Sequence, residues 1–150
     1  MTIAKIPTGV TPDNMANFGL LGLVSNINAY AQQKANVTTS GTAVALTAAQ
    51  FLAGLLILGA GASGGFTINL PSTAALIAGL GPTIPTDGSF SMPIKIQNNA
   101  VGQTGTITAG DANTTLNGTM TLATSTTRNF LLTVTGPNSV VIDNMGTMGL

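Results

Sequence analysis

Apolar and polar residues alternate along several short segments of this chain from Val37 onward. The clearest segment is "SFSMPIKIQNN", in which Phe90, Met92, Ile94 and Ile96 occupy every second position. A period of two is typical of a β-strand with one buried face. The same alternation, or a short apolar run, occurs in "TAVAL", "GFTINLP", "GTITAGD", "TTLNGTMTLATS" and "RNFLLTVTGPNSVVIDNMG".

The spacing of these segments predicts the fold class. They follow one another at intervals of roughly 8 to 12 residues, with turns rich in Gly, Asn and Pro, as in sandwiches, jelly rolls and barrels. We therefore expect a mainly β protein: an antiparallel β-sandwich or jelly-roll-like domain over residues 37–150. The choice between a jelly roll and another sandwich stays open. Pro93 indicates an edge strand or a bulge, because proline cannot donate a ladder hydrogen bond.

Two short helices are expected between the strands. One follows Thr47, which can act as an N-cap for "AAQFLAG". The other lies in "PSTAALIAGLG", where Ser72 or Thr73 caps the start and Gly79 or Gly81 ends the helix.

Residues 1–36 differ from the rest of the chain and form a predicted N-terminal arm. Pro7 and Pro12 interrupt the first part, which is expected to be extended. The segment from Met15 to Lys34 has some helical character, weakened by two glycines. An arm that docks on a partner and a tail folded on its own domain are both consistent with this pattern.

The most apolar stretch, "FLAGLLILGAGASGGFTINLP" (Phe51 to Pro71), allows three interpretations. A membrane-spanning helix needs ~20 predominantly apolar residues, and the strongly apolar run ends at Leu58. Gly59 to Gly64 matches the dinucleotide-binding pattern G-x-G-x-x-G, but the pattern requires a helix where "GGFTINLP" alternates like a strand. We therefore predict two strands joined by a glycine-rich hairpin.

The first of these strands carries the predicted subunit interface. Residues Leu55, Leu56, Ile57 and Leu58 are apolar on both faces of the strand. Such a strand is buried on both sides in a sandwich interior, or it places one face in the core and the other against a second subunit.

The scarcity of charged residues limits the classes of partner that we expect this protein to bind. Only 5% of residues are charged, against ~25% in ordinary proteins. The four basic and four acidic residues are scattered: Lys5, Lys34, Lys95, Arg128, Asp13, Asp87, Asp111 and Asp143. No basic patch is present to bind phosphates, so we expect neither nucleic acid nor an anionic membrane as a partner. A neutral surface has little repulsion between copies and suits a protein that works in an assembly.

The chain lacks the residues that carry most enzyme chemistry. It contains no His, no Cys and no Glu. This excludes the usual proton shuttle at neutral pH, Ser-His-Asp and Cys-His arrangements, and zinc sites built from His and Cys. Asp87 and Asp111 each neighbour a glycine and are expected to be solvated turn carboxylates. We predict that the protein is not an enzyme and uses no cofactor and no metal ion.

The order of motifs between residues 42 and 142 resembles a known class of proteins. "LTAAQ" leads into the apolar strand and the Gly-rich loop. "INLPSTAALIAGL", "IKIQNNAVG", "TGTITAG", "LNGTMTLATSTTRNFLLTVTG" and a final "VVI" then follow. This order resembles small virion proteins of tailed bacteriophages, of the head decoration or cement kind. The resemblance implies a non-enzymatic homotrimer on the outer surface of the capsid, which holds neighbouring major capsid protein subunits together.

The hypothesis of a decoration protein gives the apolar residues specific roles. The arm would contact the shell through Ile3, Ile6, Val10, Phe18, Leu20, Leu21 and Leu23, and the strand Leu55 to Leu58 would join the subunits. Burial inside the chain's own core remains the alternative for both sets. A second hypothesis is a phage tail, fibre or adhesin-type module that recognises a cell-surface glycan. Such sites use aromatic platforms with polar tips, and only Tyr30 offers one.

Overall fold

Ten β-strands and two short helices make up the part of the chain that the structure describes. The computed structural model describes residues 33–38, 41–59, 61–62 and 64–149. The strands are β1 (Gln33–Thr38), β2 (Ala43–Ala45), β3 (Gly54–Gly59), β4 (Phe66–Asn69), β5 (Phe90–Asn98), β6 (Gly105–Thr108), β7 (Thr114–Asn117), β8 (Thr121–Leu122), β9 (Thr126–Gly136) and β10 (Ser139–Gly149). The helices are α1 (Ala48–Phe51) and α2 (Thr73–Leu80).

The strands divide between two sheets. Sheet A has six strands in the order β1-β3-β5-β9-β10-β7, and sheet B has four in the order β2-β4-β6-β8. Up to β6 the chain places consecutive strands in alternate sheets. Strands that enter the same sheet on successive passes of the chain therefore lie side by side and run parallel to each other. These are β1, β3 and β5 in sheet A, and β2, β4 and β6 in sheet B.

The predicted antiparallel arrangement is wrong for the pairs formed among β1 to β6. Antiparallel pairs are β5 with β9, β9 with β10 and β6 with β8, whereas β7 joins β10 in parallel. The fold is therefore mainly β, with two mixed sheets. Alternation along a strand reports which side chains are buried but not the direction of the neighbouring strand, so the sequence pattern could not distinguish the two cases.

Buried apolar side chains of both sheets and both helices belong to one hydrophobic core. Sheet A contributes the largest share, and the fully buried members of the core include Leu56, Leu58, Ile94, Ile96, Phe130, Leu132, Val134, Val140 and Ile142. Sheet B and the helices contribute Phe66, Ile68, Ile107, Leu122, Phe51 and Leu76. Burying a side chain of this size contributes about 1.5–3 kcal/mol, so this shared core is the main stabilising feature of the domain.

Both predicted helices are confirmed, and they lie where the chain returns from sheet B to sheet A. Helix α1 begins with a capping box: Thr47 Oγ1 accepts from the Gln50 N–H at 3.2 Å, and Gln50 Oε1 accepts from the Thr47 N–H at 2.9 Å. In α2, Ser72 Oγ accepts from the Ala75 N–H at 3.3 Å. That helix ends at Gly81, whose φ of +101° favours glycine.

The predicted hairpin after the apolar strand is wrong, although both of its strands are present. Strand β3 belongs to sheet A and β4 belongs to sheet B, so the glycine-rich loop between them crosses from one sheet to the other. The segment after Gly64 is a strand, as its alternation predicts. A loop rich in glycine allows a change of sheet as readily as a tight turn, because glycine permits many backbone conformations.

Two further expectations concern the chain before and within sheet A. Strand β1 begins at Gln33, so residues 33–36, which the sequence placed in the arm, belong to sheet A. Residues 1–32 lie outside the described residues.

Pro93 lies in the half of β5 that pairs with β9 alone, because β3 pairs only with Lys95–Asn98. The edge position predicted for this proline is confirmed locally.

Candidate interaction surface

The face of sheet A that points away from the core, called the outer face below, is the candidate surface. On β3, Leu56 and Leu58 are 0% exposed and belong to the core. Because side chains alternate along a strand, Leu55 and Ile57 point to the outer face, where both are half-buried. Leu56 and Leu58 therefore follow the alternative of core burial that the sequence left open, and the subunit interface stays a prediction for Leu55 and Ile57.

Strand register fixes the neighbours of these two side chains. Leu55 lies between Lys34 of β1 and Lys95 of β5, and Ile57 lies between an asparagine and a glutamine of the same two strands. Neighbouring strands are ~4.8 Å apart, so the flanking side chains are within reach. Lysine stems are apolar and can lie along Leu55 while their ammonium groups stay in water. The two lysines are therefore compatible with apolar contacts made by Leu55 on the outer face.

The other half of the outer face carries a carboxylate. Leu131 of β9 lies between Pro93 and Asp143 in the register of sheet A. Asp143 Oδ1 accepts a hydrogen bond from Asn117 Nδ2 at 2.8 Å, which ties β10 to the edge strand β7. The outer face thus has positive charge on β1 and β5, negative charge on β10, and apolar side chains on β3 and β9 between them.

A hydrogen-bond network around Asp111 holds the start of α2, and sequence reasoning missed it. Asp111 Oδ2 accepts from the Thr73 N–H at 2.7 Å, and Asp111 Oδ1 accepts from Thr73 Oγ1 at 2.8 Å. The Thr73 hydroxyl also lies 2.9 Å from Thr114 Oγ1 on β7. A carboxylate at a helix N-terminus is favourable because it meets free N–H groups and the positive end of the helix dipole.

These contacts shift the acidity of Asp111. The hydroxyl of Thr73, which donates to the carboxylate, is the main cause that lowers the pKa of Asp111 below its usual value. Partial desolvation opposes the shift, and the N–H groups of Thr73 and Asn113 add to it. The sequence showed Asp111 only as a turn residue, because its partner Thr73 is 38 positions away.

A second network is centred on Asn98, at the end of β5. Asn98 is 0% exposed, and its Nδ2 donates to the carbonyl oxygens of Gln103 at 2.8 Å, Leu122 at 3.1 Å and Ala123 at 3.3 Å. Its Oδ1 accepts from the Ala100 N–H at 3.0 Å. One buried side chain thereby joins sheet A, the loop after β5 and the end of β8. Sequence reasoning missed Asn98, although continuing the alternation of Ile94 and Ile96 by one step would have placed it on the buried face; nothing in the sequence indicates its partners.

The residues predicted to contact a shell lie elsewhere in the chain. Ile3, Ile6, Val10, Phe18, Leu20, Leu21 and Leu23 are all outside the described residues. Their assignment to capsid binding stays a prediction.

The described residues contain no group of three or more His, Cys, Asp or Glu side chains that could hold a metal ion. Among them, no helix is both long and apolar enough to cross a membrane. Comparison of the chain with protein-family models, with curated proteins and with solved structures finds no match.

Proposed function

We propose that this protein is a non-enzymatic virion structural protein, a decoration protein that binds the outer surface of a phage capsid as a homotrimer and stabilises the head. The observation that carries the proposal is the outer face of sheet A, where the apolar side chains of Leu55 and Ile57 on β3 and Leu131 on β9 are only half-buried. Apolar groups on such a face are stabilised by contact with another copy, at ~25 cal/mol per Å² buried.

The architecture is compatible with this role. Two mixed sheets that share one core fit a β-sandwich, and the choice between a jelly roll and another sandwich stays open. The partners would be further copies of this chain and the major capsid protein. The arm, residues 1–32, would supply the contacts to the shell.

The glycan-binding alternative gains no specific support from the described residues. Phe51, Phe66 and Phe130 are buried in the core, and Phe90 is half-buried beside it. A sugar platform needs an accessible aromatic ring, so these rings are poorly placed for that role.

The mass of the purified protein in solution tests the assembly part of the proposal. Three copies of the 14.9 kDa chain give about 45 kDa, which light scattering separates from a monomer. A mass near 45 kDa is expected. A mass of 14.9 kDa at all concentrations would contradict the homotrimer.

Labelling of particles tests the location. Gold-conjugated antibodies raised against the purified chain are expected to label the heads of intact particles of the phage that encodes it. The matched comparison is a variant that lacks residues 1–30, added to particles stripped of the protein. We expect this variant to remain trimeric and to lose binding. Label on tails alone, or full binding by the shortened chain, would contradict the proposed site of action.

A further inference from the structure

Arg128 is the one charged side chain on the core-facing side of sheet A among the described residues. It lies on β9 in the same alternating set as Phe130, Leu132 and Val134, all of which are buried. Its cross-strand neighbour on β5 is Ile96, which is 1% exposed. The base of the Arg128 side chain therefore leaves the sheet among core residues, whereas the residue as a whole remains partly accessible to solvent.

The guanidinium has no acceptor within the described part of the chain. Its Nε is buried and forms no hydrogen bond, and no ion pair joins Arg128 to a described carboxylate. Arginine stays protonated at every physiological pH and presents its N–H groups in a planar fork. A buried charged donor without an acceptor is costly, and such a group needs an explanation.

Two polar side chains near Arg128 on the same face are already engaged. Asn98 uses both of its amide atoms on the loops around it. Thr126, two residues along β9, donates its hydroxyl to the Ala123 carbonyl at 2.7 Å. No described side chain therefore serves as an acceptor for Arg128, and the accessible side of the guanidinium is open to an acceptor from outside the described residues.

We propose that Arg128 is a binding site for an oxyanion, with a carboxylate as the expected group. A carboxylate offers two oxygens in the spacing of the guanidinium fork, and such paired hydrogen bonds are among the strongest in proteins. The group could be carried by a small acid or by an acidic side chain of a second copy of this chain. Both sources present the same chemistry to Arg128, and the experiment separates them.

The first measurement is the Tm of the wild-type protein and of Arg128→Met in 100 mM sodium acetate and in 100 mM sodium sulfate, each compared with sodium chloride at equal ionic strength. Methionine keeps most of the length and removes the charge. If the anion is present at about ten times its Kd, the wild-type Tm should rise by roughly 3–6 °C more than that of the variant. General salting effects act equally on both proteins and cancel in this difference.

Two further readouts separate the site from a structural role. Arg128→Lys retains the charge without the fork, so it should retain at most a small part of the anion-specific shift. In chloride alone, Arg128→Met should be as stable as the wild type or more stable, because it removes an unsatisfied buried donor. A packing role for arginine would instead make the methionine variant less stable in every buffer.

The mass in solution identifies the source. An anion-specific shift indicates a free acid or anion. If no such shift occurs but Arg128→Met lowers the mass of an assembled wild-type protein, the carboxylate belongs to a second copy. Identical responses to acetate and sulfate in the wild type and the methionine variant, together with an unchanged mass, would overturn the proposal. This result would leave the capsid location untouched, because particle labelling tests that part independently.

Discussion

At the scale of single residues, two polar side chains connect parts of the chain that are distant in sequence. Asp111 holds the N–H and hydroxyl of Thr73 at the start of α2, and Asn98 joins β5 to the loop after it and to β8. Asn98 is buried and Asp111 is half-buried. Polar groups partly or fully removed from water in this way are stabilising while all partners are present, because a partner left alone loses water without gaining a hydrogen bond. Each therefore predicts a specific loss on substitution.

Replacement of Asp111 by asparagine should give a stability difference that depends on pH. The pKa of Asp111 is lowered in the folded protein, chiefly by the Thr73 hydroxyl. Its carboxylate therefore stabilises the fold fully above the unfolded value of ~3.9, and this stabilisation is lost as pH falls through the lower folded value. The wild type should have the higher urea midpoint at pH 7, and the gap to Asp111→Asn should close in acid.

The lowered pKa of Asp87 does not affect the comparison between the wild type and Asp111→Asn. Its pKa is also lowered, by hydrogen bonds from Ser89, but the effect is common to both proteins. A midpoint difference that stays constant from pH 7 to acid would show that the charge of Asp111 has no part in holding α2.

Replacement of Asn98 by alanine should be strongly destabilising. The change leaves the carbonyl groups of Gln103 and Leu122 and the N–H of Ala100 without their buried partner. Loss of partners for buried polar groups costs about 1–3 kcal/mol each before relaxation, so we expect a total loss of roughly 3 kcal/mol. The adjacent Asn99 is exposed, and Asn99→Ala is the matched control, expected to change stability by less than ~0.5 kcal/mol. Equal urea midpoints for the two variants would contradict the role of Asn98.

At the scale of elements, the loop between β6 and β7 is held against the start of α2. A Cβ atom on Gly110 would overlap the carbonyl oxygens of Pro71 and Leu70, which immediately precede the helix. The backbone cannot retreat there without moving the adjacent Asp111 away from Thr73. The close approach of two backbone segments, rather than a turn conformation, therefore requires glycine at position 110.

Replacement of Gly110 by alanine should lower stability by about 2–3 kcal/mol, as expected for steric overlap against backbone. Gly64→Ala is the control, because a Cβ there meets no atom within 4 Å. The two variants are compared by thermal unfolding. If Gly110→Ala unfolds at the wild-type temperature, the loop is free to move and does not position Asp111.

The same scale shows how far the sequence could predict this fold. Helices α1 and α2 were predictable from Thr47 and Ser72, because capping depends on residues within one helical turn. Most strands after β1 were predictable from alternation, whereas the first four residues of β1 were assigned to the arm. The sheet that each strand joins was not predictable, because β3 and β4 are separated by a glycine-rich loop that reads equally as a hairpin or as a crossing. For the candidate surface, the apolar composition of β3 was visible, but its division into core and outer positions required the register.

At the scale of the whole molecule, the open question is whether the outer face of sheet A is a free surface or a contact between copies of the chain. Its apolar side chains could simply be the unpaired side of a sheet, since isolated surface apolar groups are common. They could instead be the contact between copies, in which case their removal affects mass but not folding. The two cases differ in a single measurement, because Leu55 and Ile57 can be changed without touching the core side of the same strand.

The double variant Leu55→Thr, Ile57→Thr makes this test. Threonine is β-branched and keeps the preference for a strand, so β3 should still form. We expect light scattering to show the 14.9 kDa monomer in place of the trimer. Val101→Thr removes an apolar side chain that is 83% exposed outside sheet A and should leave the assembly intact. Leu56→Ala instead creates a core cavity and should lower the free energy of unfolding by about 2–5 kcal/mol. This variant shows the effect of reduced stability, from which a loss of assembly alone can be distinguished. A double variant that remains trimeric would remove the outer face as the subunit contact, and with it the observation on which the decoration role depends.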